Sequence, residues 1–391
     1  MMQRRQLGQA TTTSEQPALR GSGAALGWQP IVLIVLVSRV AYGVVGILAS
    51  QQGLRPLANP DPAHIPGVLV ALLAPWQQWD VGWYITIAGQ GYGATIGATA
   101  FQPLYPLLIH LLTPLCGGAP LVAALVISTV AYATSLWLLI RVVAPRLGLP
   151  LANGALAFLL VAPAAVFFFS GYTESLYLAL TLAVFFLADR KMWLMAGICA
   201  ALACLTRVQG LALLPALLVV ALSTPGPRTR LRSGLALLGP PLLAVAGYQS
   251  LITYVWRLPS SPAALRQGWG ISPRAPWTTL LEYLNFLRCP QCYIVVAWTA
   301  DCLLAFATLA LVLAGLRRIP LAWTVYAAVS LCIALTHMRG TSRYVAVIFP
   351  CYVVLAQLLD QRPRLRRIVF TLSTLLLVVL TYQYFVGWFV G

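Results

Sequence analysis

Repeated apolar runs are the feature that most constrains this chain, and many of them are roughly 15–25 residues long. About 20 apolar helical residues cross a hydrocarbon core about 30 Å thick. With 60% hydrophobic and 8% charged residues, the chain is far more apolar than a soluble domain, in which about a quarter of residues are charged. A membrane barrel would instead show alternating segments of about ten residues. The sequence therefore predicts an all-α polytopic membrane protein.

About eleven transmembrane helices are predicted from the lengths of these runs. The first run is long for the core of a signal peptide, so we interpret it as an uncleaved span. Two short runs flank Thr206–Gly210, which predicts half-helices that meet near one face of the membrane. The predicted spans are 31–50, 120–140, 151–169, 172–188, 192–206, 209–223, 235–256, 292–316, 320–337, 344–360 and 368–390.

The basic residues set the predicted orientation. A net charge of +17 would suggest a nucleic-acid partner in a soluble protein, but no base-reading motif is present and none is expected here. With the N-terminus inside, the inner segments carry about twice as many basic residues as the outer segments, as the positive-inside rule requires. The excess of arginine over lysine and the abundance of alanine and leucine favour a bacterial cytoplasmic membrane.

A single domain over residues 1–391 is predicted, with an inner tail at 1–30 and outer loops at 51–119 and 257–291. Segment 101–115 is apolar, but it contains three prolines and a histidine, and a span there would reverse the orientation of every later loop. We therefore predict interfacial helices at 77–90 and 101–115. Cys289 and Cys292 are a weak zinc signal, and a local disulfide is the alternative.

The predicted outer face collects the polar residues that could carry chemistry. Asp80 stands between Trp79 and Trp83, where a carboxylate could accept a proton from a hydroxyl or simply cap the following helix. Arginine suits phosphate because its planar guanidinium offers a fork of donors. The candidates at this face are Asp80, Glu174, Arg207, His337, Arg339 and Arg343.

Other interpretations of the same residues stay open. Glu174 could complement the dipole of the helix that it starts, and Arg339 and Arg343 could reach toward lipid headgroups. Tyr172 could belong to an aromatic belt. Arg39 and Asp301 each fall well inside a predicted span, where isolated charges normally pair, so we predict a buried bridge between them.

Five segments together resemble a known family. In order, they are "WDVGWYITIAGQGYG", "FQPLYPLLI", "FFFSGYTESLYLAL", "LACLTRVQGLALLPAL" and "TSRYVAVIFP". They resemble the PIG-V-like (GPI mannosyltransferase II) proteins and their bacterial relatives, which are GT-C glycosyltransferases, from about residue 35 to 355. Gln78 and Gln102 depart from the pattern.

The resemblance implies a GT-C-type helical bundle that transfers mannose, with inversion, from a polyprenyl-phosphate-mannose donor to a glycolipid or protein acceptor. The candidate residues fit such a reaction, with Asp80 as the general base. Metal and cofactor are not required, because arginines can neutralise the leaving phosphate. Donor phosphate contacts are expected from Arg207, Arg339 and Arg343, and sugar or acceptor contacts from Trp79, Trp83, Tyr172, Glu174 and His337.

Two other functions are compatible with a polytopic chain. A lipid or glycolipid transporter or flippase would work without catalysis, and a membrane-embedded assembly subunit would need no special role for Asp80. Transporters often show internal repeats and place charges along a central path. The chain has no evident repeat, and its unusual polar residues cluster at one predicted face. This pattern favours the enzyme.

Overall fold

The computed structural model describes residues 27–51, 72–288, 295–337, 340–388 and 390. Every regular element within these ranges is helical. The main helices are α1 (Trp28–Ser50), α2 (Asp80–Gln90), α3 (Leu104–Leu112), α4 (Pro120–Leu147), α5 (Leu149–Leu160), α6 (Glu174–Asp189), α7 (Trp193–Cys204), α8 (Leu213–Leu222), α9 (Pro227–Ser250), α10 (Ser261–Trp269), α11 (Pro276–Arg288), α12 (Val295–Gly315), α13 (Leu321–Ala334), α14 (Thr341–Ala346), α15 (Phe349–Leu359) and α16 (Pro363–Phe385).

Five helices of the described chain are long and apolar enough to cross a membrane: α1, α4, α9 with the π-helical turn that follows it, α12 and α16. Each predicted span contains a helix, which confirms an all-helical multi-pass membrane protein. Several of these helices are shorter than predicted because the chain unwinds after α5, α7 and α13. Segments 77–90 and 101–115 are largely helical, as α2 and α3, and their place at the interface stays a prediction.

The short helices pack into one core with the long helix α4. α4 lies against α5 and α6, α7 packs between α6 and α9, and α15 packs on α5. Aromatic rings fill the space between them, and Phe167, Phe168, Tyr177, Trp323 and Phe349 are almost fully buried. Burying such large side chains is the main source of stability within a packed bundle. The unwound segments are therefore held by a rigid surround.

The predicted bridge between Arg39 and Asp301 is wrong. Arg39 donates to the backbone carbonyls of Phe169 at 2.7 Å and Leu125 at 2.9 Å. Asp301 instead accepts the N–H of Ser342, at 2.7 Å, where α14 begins. Arg39 and Asp301 thus bind backbone groups of neighbouring segments instead of pairing with each other.

The two predicted outer loops meet at a close backbone contact. A Cβ atom added to Gly268 would lie 2.6 Å from the Cα atom of Gly97, so glycine is required at this point of contact. Two further hydrogen bonds join the loops, from Thr99 Oγ1 to the Pro259 carbonyl at 2.7 Å and from Trp269 Nε1 to the Gly97 carbonyl at 3.3 Å. Together these contacts hold the indole of Trp269 against Trp83 in the first turn of α2.

The predicted inner tail falls almost entirely outside the described residues, as does the first outer loop up to residue 71. Cys289 and Cys292 also lie outside them, so their pairing stays open. The division of the chain into tail and loops stays a prediction.

Candidate active site

A cavity of about 180 Å³ lies where α2, the break between α7 and α8, and α14 come together. Three of the charged side chains that the sequence singled out, Asp80, Arg207 and Arg343, line it together with aromatic and hydroxyl groups. Its lining includes Asp80, Tyr84, Phe101, Gln102, Thr173, Thr206, Arg207, Trp269, His337, Arg343 and Tyr344. A concave site with a few convergent polar groups is the usual form of a ligand pocket.

Asp80 is the first residue of α2, and its carboxylate faces this cavity. The residue before it, Trp79, has a positive φ of 52°, a conformation that non-glycine residues rarely adopt and that is found at functional sites. Trp79 occupies the N-cap position of α2, and Asp80 lies one residue inside the helix, so Asp80 is not its N-cap residue. Asp80 Oδ2 lies 2.6 Å from Nη1 of Arg343. The backbone N–H of Asp80 donates to the Tyr172 hydroxyl at 3.3 Å.

Glu174 lies behind the cavity wall as the first residue of α6, and it is fully buried. Its Oε1 atom is 2.6 Å from Nη1 of Arg207 and 3.7 Å from Nε of Arg343. Arg207 Nη1 also donates to the Thr173 hydroxyl at 2.9 Å. A carboxylate that is buried away from solvent needs cationic partners, so Glu174 holds both guanidinium groups at the cavity. The network joins two carboxylates to two guanidinium groups.

Arg207 reaches the cavity because the chain reverses after α7. Thr206 donates its hydroxyl to the Leu202 carbonyl at 2.7 Å, which satisfies one carbonyl at the end of that helix. A 3₁₀ turn, Val208–Ala212, then folds back onto α7. A Cβ atom added to Gly210 would lie 2.5 Å from the backbone nitrogen of Cys204. The predicted helix break at Thr206–Gly210 is therefore confirmed.

Arg343 is carried by the short helix α14, which is fixed from several sides. Asp301 accepts the N–H of Ser342, and the Tyr283 hydroxyl is 2.8 Å from that of Thr341. Gln209 Nε2 donates to the Tyr344 carbonyl at 2.9 Å. These contacts lock the orientation of α14, and with it the direction of the Arg343 side chain.

Aromatic rings cover the faces of both guanidinium groups. The Cζ atom of Arg343 lies 5.1 Å from the centroid of the Tyr172 ring, and that of Arg207 lies 4.6 Å from the Tyr344 ring. Such cation–π contacts leave the edges of the guanidinium available for hydrogen bonds. Only 12% of the Arg343 side chain and 7% of that of Arg207 are exposed.

Tyr84 lines the cavity one helical turn after Asp80, with its hydroxyl 3.4 Å from that of Thr173. Burial raises the pKa of the Tyr84 phenol well above its usual value, and the nearby Asp80 and Glu174 carboxylates add to the rise. The phenol therefore remains a neutral hydrogen-bond donor throughout the physiological range.

The structure brings most of the predicted site residues together, some in the cavity lining and others packed behind it. Asp80, Arg207, His337 and Arg343 line the cavity, and Glu174 lies directly behind it. Tyr172 is fully buried under Arg343. Half-buried Trp79 packs against the main core, and Trp83 packs on Phe101 and Trp269. Arg339 lies outside the described residues.

Sequence analysis missed several residues of the lining. Tyr84 carried a usable signal because it lies four positions after Asp80 on the same helix, and such residues share a face. Tyr344 also carried a usable signal, because it directly follows the candidate Arg343 in the sequence. Trp269 had no local signal, because only the contact between the two outer loops places it at the cavity.

The described residues contain no group of three or more histidine, cysteine, aspartate or glutamate side chains that could hold a metal ion. The expectation that no metal is required stays a prediction. What the cavity can do with its own groups is bind an anion through two guanidinium groups and accept a proton at Asp80.

Residues 47–224 match the family model of the PIG-V mannosyltransferases. This match confirms the resemblance that the sequence motifs indicated. The matched segment contains Asp80, Glu174 and Arg207, whereas Arg343 lies beyond it. The PIG-V match supports a glycosyl-transfer function, and its support for mannose as the sugar is at the level of the family. No curated protein sequence matches the chain.

Solved structures of an oligosaccharyltransferase from Archaeoglobus fulgidus are similar to this chain. Its complex with zinc and sulfate is 15% identical to this chain, covers 90% of it and has a TM-score of 0.44. Its apo form has 14% identity, the same coverage and the same TM-score. The chain spans 53% and 56% of those two proteins, about half of their length.

Proposed function

We propose that the protein transfers a mannosyl residue from a polyprenyl-phosphate-mannose donor to a lipid-linked or envelope acceptor at the outer face of the membrane. The observation that carries the proposal is the meeting of Asp80, Arg207 and Arg343 at one cavity. The PIG-V match over residues 47–224 supports the reaction class. The donor, the acceptor and the side of the membrane are part of the proposal.

The two guanidinium groups are suited to the donor phosphate. The cluster is electrically balanced, because Asp80 and Glu174 oppose Arg343 and Arg207. An arriving phosphodiester competes with Asp80 for Arg343, and a guanidinium can bind phosphate through two parallel N–H bonds. Glu174 remains behind both arginines and keeps them in place.

Release of Arg343 from Asp80 prepares the base. The free Asp80 carboxylate accepts the proton of an acceptor hydroxyl as that oxygen attacks the anomeric carbon of the donor. The bond from the anomeric carbon to the phosphate oxygen breaks on the opposite side, and the bonding electrons leave with the polyprenyl phosphate. One displacement with one base gives inversion. Arg207 and Arg343 stabilise the negative charge that gathers on the leaving phosphate.

The test is transfer by the full-length protein in lipid nanodiscs, with radiolabelled mannosyl-phosphoryl-polyprenol as donor and lipid extract from a deletion strain as acceptor. Asp80→Asn should lower the transfer rate at least ~10²-fold, since general base catalysis contributes that much. Asp189→Asn is the matched control, because Asp189 pairs with Arg146 at the opposite end of α6.

The outcome decides between the candidate functions. An Asp80→Asn variant that remains folded and transfers mannose at the full rate removes Asp80 as the base. A wild-type protein that moves the donor across a bilayer without forming product is a flippase instead.

A further inference from the structure

A second cavity, of about 230 Å³, adjoins the first. Trp269, Ile271 and His337 line both cavities, so these three side chains form a shared wall. The charged cluster of Asp80, Arg207 and Arg343 lies on one side of this wall. The second cavity also contains Ser272, Arg274 and Trp298. A molecule bound in it would therefore lie next to the proposed site of chemistry.

The shared wall is held in a fixed position. The indole N–H of Trp269 donates to the Gly97 carbonyl at 3.3 Å, and the ring packs against Trp83 and Phe101 with centroid distances of 4.8 and 5.7 Å. On its other side, the backbone N–H of Arg274 donates to the Thr336 carbonyl at 2.9 Å, next to His337. The two ends of segment 269–274 are thus tied to the first outer loop and to the residues that follow α13, so the cavity is preformed.

The lining differs in chemistry from that of the first cavity. It offers the indoles of Trp269 and Trp298, a serine hydroxyl and one guanidinium group. Arg274 is already neutralised by Glu282, yet its five N–H donors exceed what one carboxylate oxygen can accept. Aromatic surface with a few placed hydrogen-bonding groups suits a neutral ring that has apolar C–H faces and hydroxyl edges. A hexose has this form.

We propose that the second cavity is the acceptor subsite and that it holds a hexose of a glycolipid headgroup. The inference rests on the proposed transfer reaction, because it assigns the donor phosphate to Arg207 and Arg343 in the first cavity. A phosphate suits the first cavity better, because the first is lined by two guanidinium groups whereas the described lining of the second offers one, that of Arg274. The hexose packs on the indoles and directs a hydroxyl past His337 toward Asp80.

Binding measurements test the subsite independently of turnover. The probes are octyl α-mannoside for the second cavity and citronellyl phosphate for the first, each titrated by calorimetry into the full-length protein in nanodiscs. Ser272→Trp fills the cavity without removing a packed side chain, because Ser272 is exposed. Trp298→Ala removes one of the two indoles. Trp277→Ala is the matched control, since Trp277 is 66% exposed and lies outside the cavity lining.

Ser272→Trp and Trp298→Ala should each weaken octyl α-mannoside binding at least tenfold and leave citronellyl phosphate binding unchanged within twofold. Trp277→Ala should match the wild type for both probes. Wild-type affinity for the mannoside in Ser272→Trp, or no saturable mannoside binding by the wild type, overturns the subsite. If mannoside binding depends on Ser272 but the wild type transfers no labelled mannose, the sugar subsite stands and the proposed transferase reaction fails.

Discussion

Replacing Glu174 with glutamine should destabilise the protein far more than the same change at an exposed ion pair. Glu174 is fully buried, 2.6 Å from Arg207 and 3.7 Å from Arg343. Glutamine keeps the shape but removes the charge that compensates both guanidinium groups. Breaking a buried pair from one side costs about 3–5 kcal/mol. Because the amide oxygen can still accept a hydrogen bond, we expect the lower end, about 3 kcal/mol.

The matched control is Glu282→Gln. Glu282 pairs with Arg274, but the two side chains are 36% and 56% exposed, and such surface pairs contribute at most about 1 kcal/mol. In a chain of this size, 1 kcal/mol moves the melting temperature by about 2 °C. Glu174→Gln should therefore melt about 6 °C below the wild type, and Glu282→Gln within about 2 °C of it.

The assay is thermal unfolding in one detergent at one scan rate, followed by tryptophan fluorescence, because membrane proteins often unfold irreversibly. Equal, small shifts for both variants would refute the reasoning, since they would mean that Glu174 is not the counter-ion of the two arginines.

Three further predictions follow from named contacts. Arg343→Lys loses the fork that faces the donor phosphate and should lower transfer ~10²-fold with the fold intact, as measured by initial rates and gel filtration. Gly268→Ala places a Cβ atom 2.6 Å from the Cα atom of Gly97 in the first outer loop and should lower the free energy of unfolding by about 1–3 kcal/mol. The control is Gly234→Ala, whose added Cβ atom has its nearest neighbour at 3.9 Å, and its melting temperature in the same assay should be unchanged or raised. Asp301→Ala removes the acceptor of the Ser342 N–H, so α14 should shift and the KM for the donor should rise. Asp301→Asn keeps an acceptor oxygen and should retain much of the affinity for the donor.

The fold could be predicted from the sequence because membrane insertion leaves few alternatives. A polar backbone must satisfy its hydrogen bonds internally in lipid, so apolar runs such as 120–140 and 368–390 could only be helices. The break at Thr206–Gly210 was also predictable, from a polar interruption between two short runs. Helix lengths were less accessible, because the unwinding after α5 and α13 depends on neighbours that are distant in sequence.

The candidate site could be predicted residue by residue but not as a network. Asp80, Glu174, Arg207 and Arg343 were identified because charges are rare in this chain. Their pairing depends on where α2, α6 and α14 converge, and sequence carries little information on that. Arg39 shows the limit, since equal depth in the membrane suggested Asp301 as its partner, whereas nearby backbone carbonyls satisfy it.

The balanced charge of the four-residue cluster bears on how the catalytic cycle ends. Under the proposed reaction the donor is a phosphodiester with a single negative charge, whereas the spent carrier is a phosphomonoester whose second proton leaves near pH 6. Arg207 and Arg343 should therefore bind the prenyl monophosphate product more tightly than the phosphodiester donor. We expect release of the prenyl monophosphate to limit turnover. After Asp80 has released its proton, it can pair with Arg343 again, and this competition should speed the release of the product.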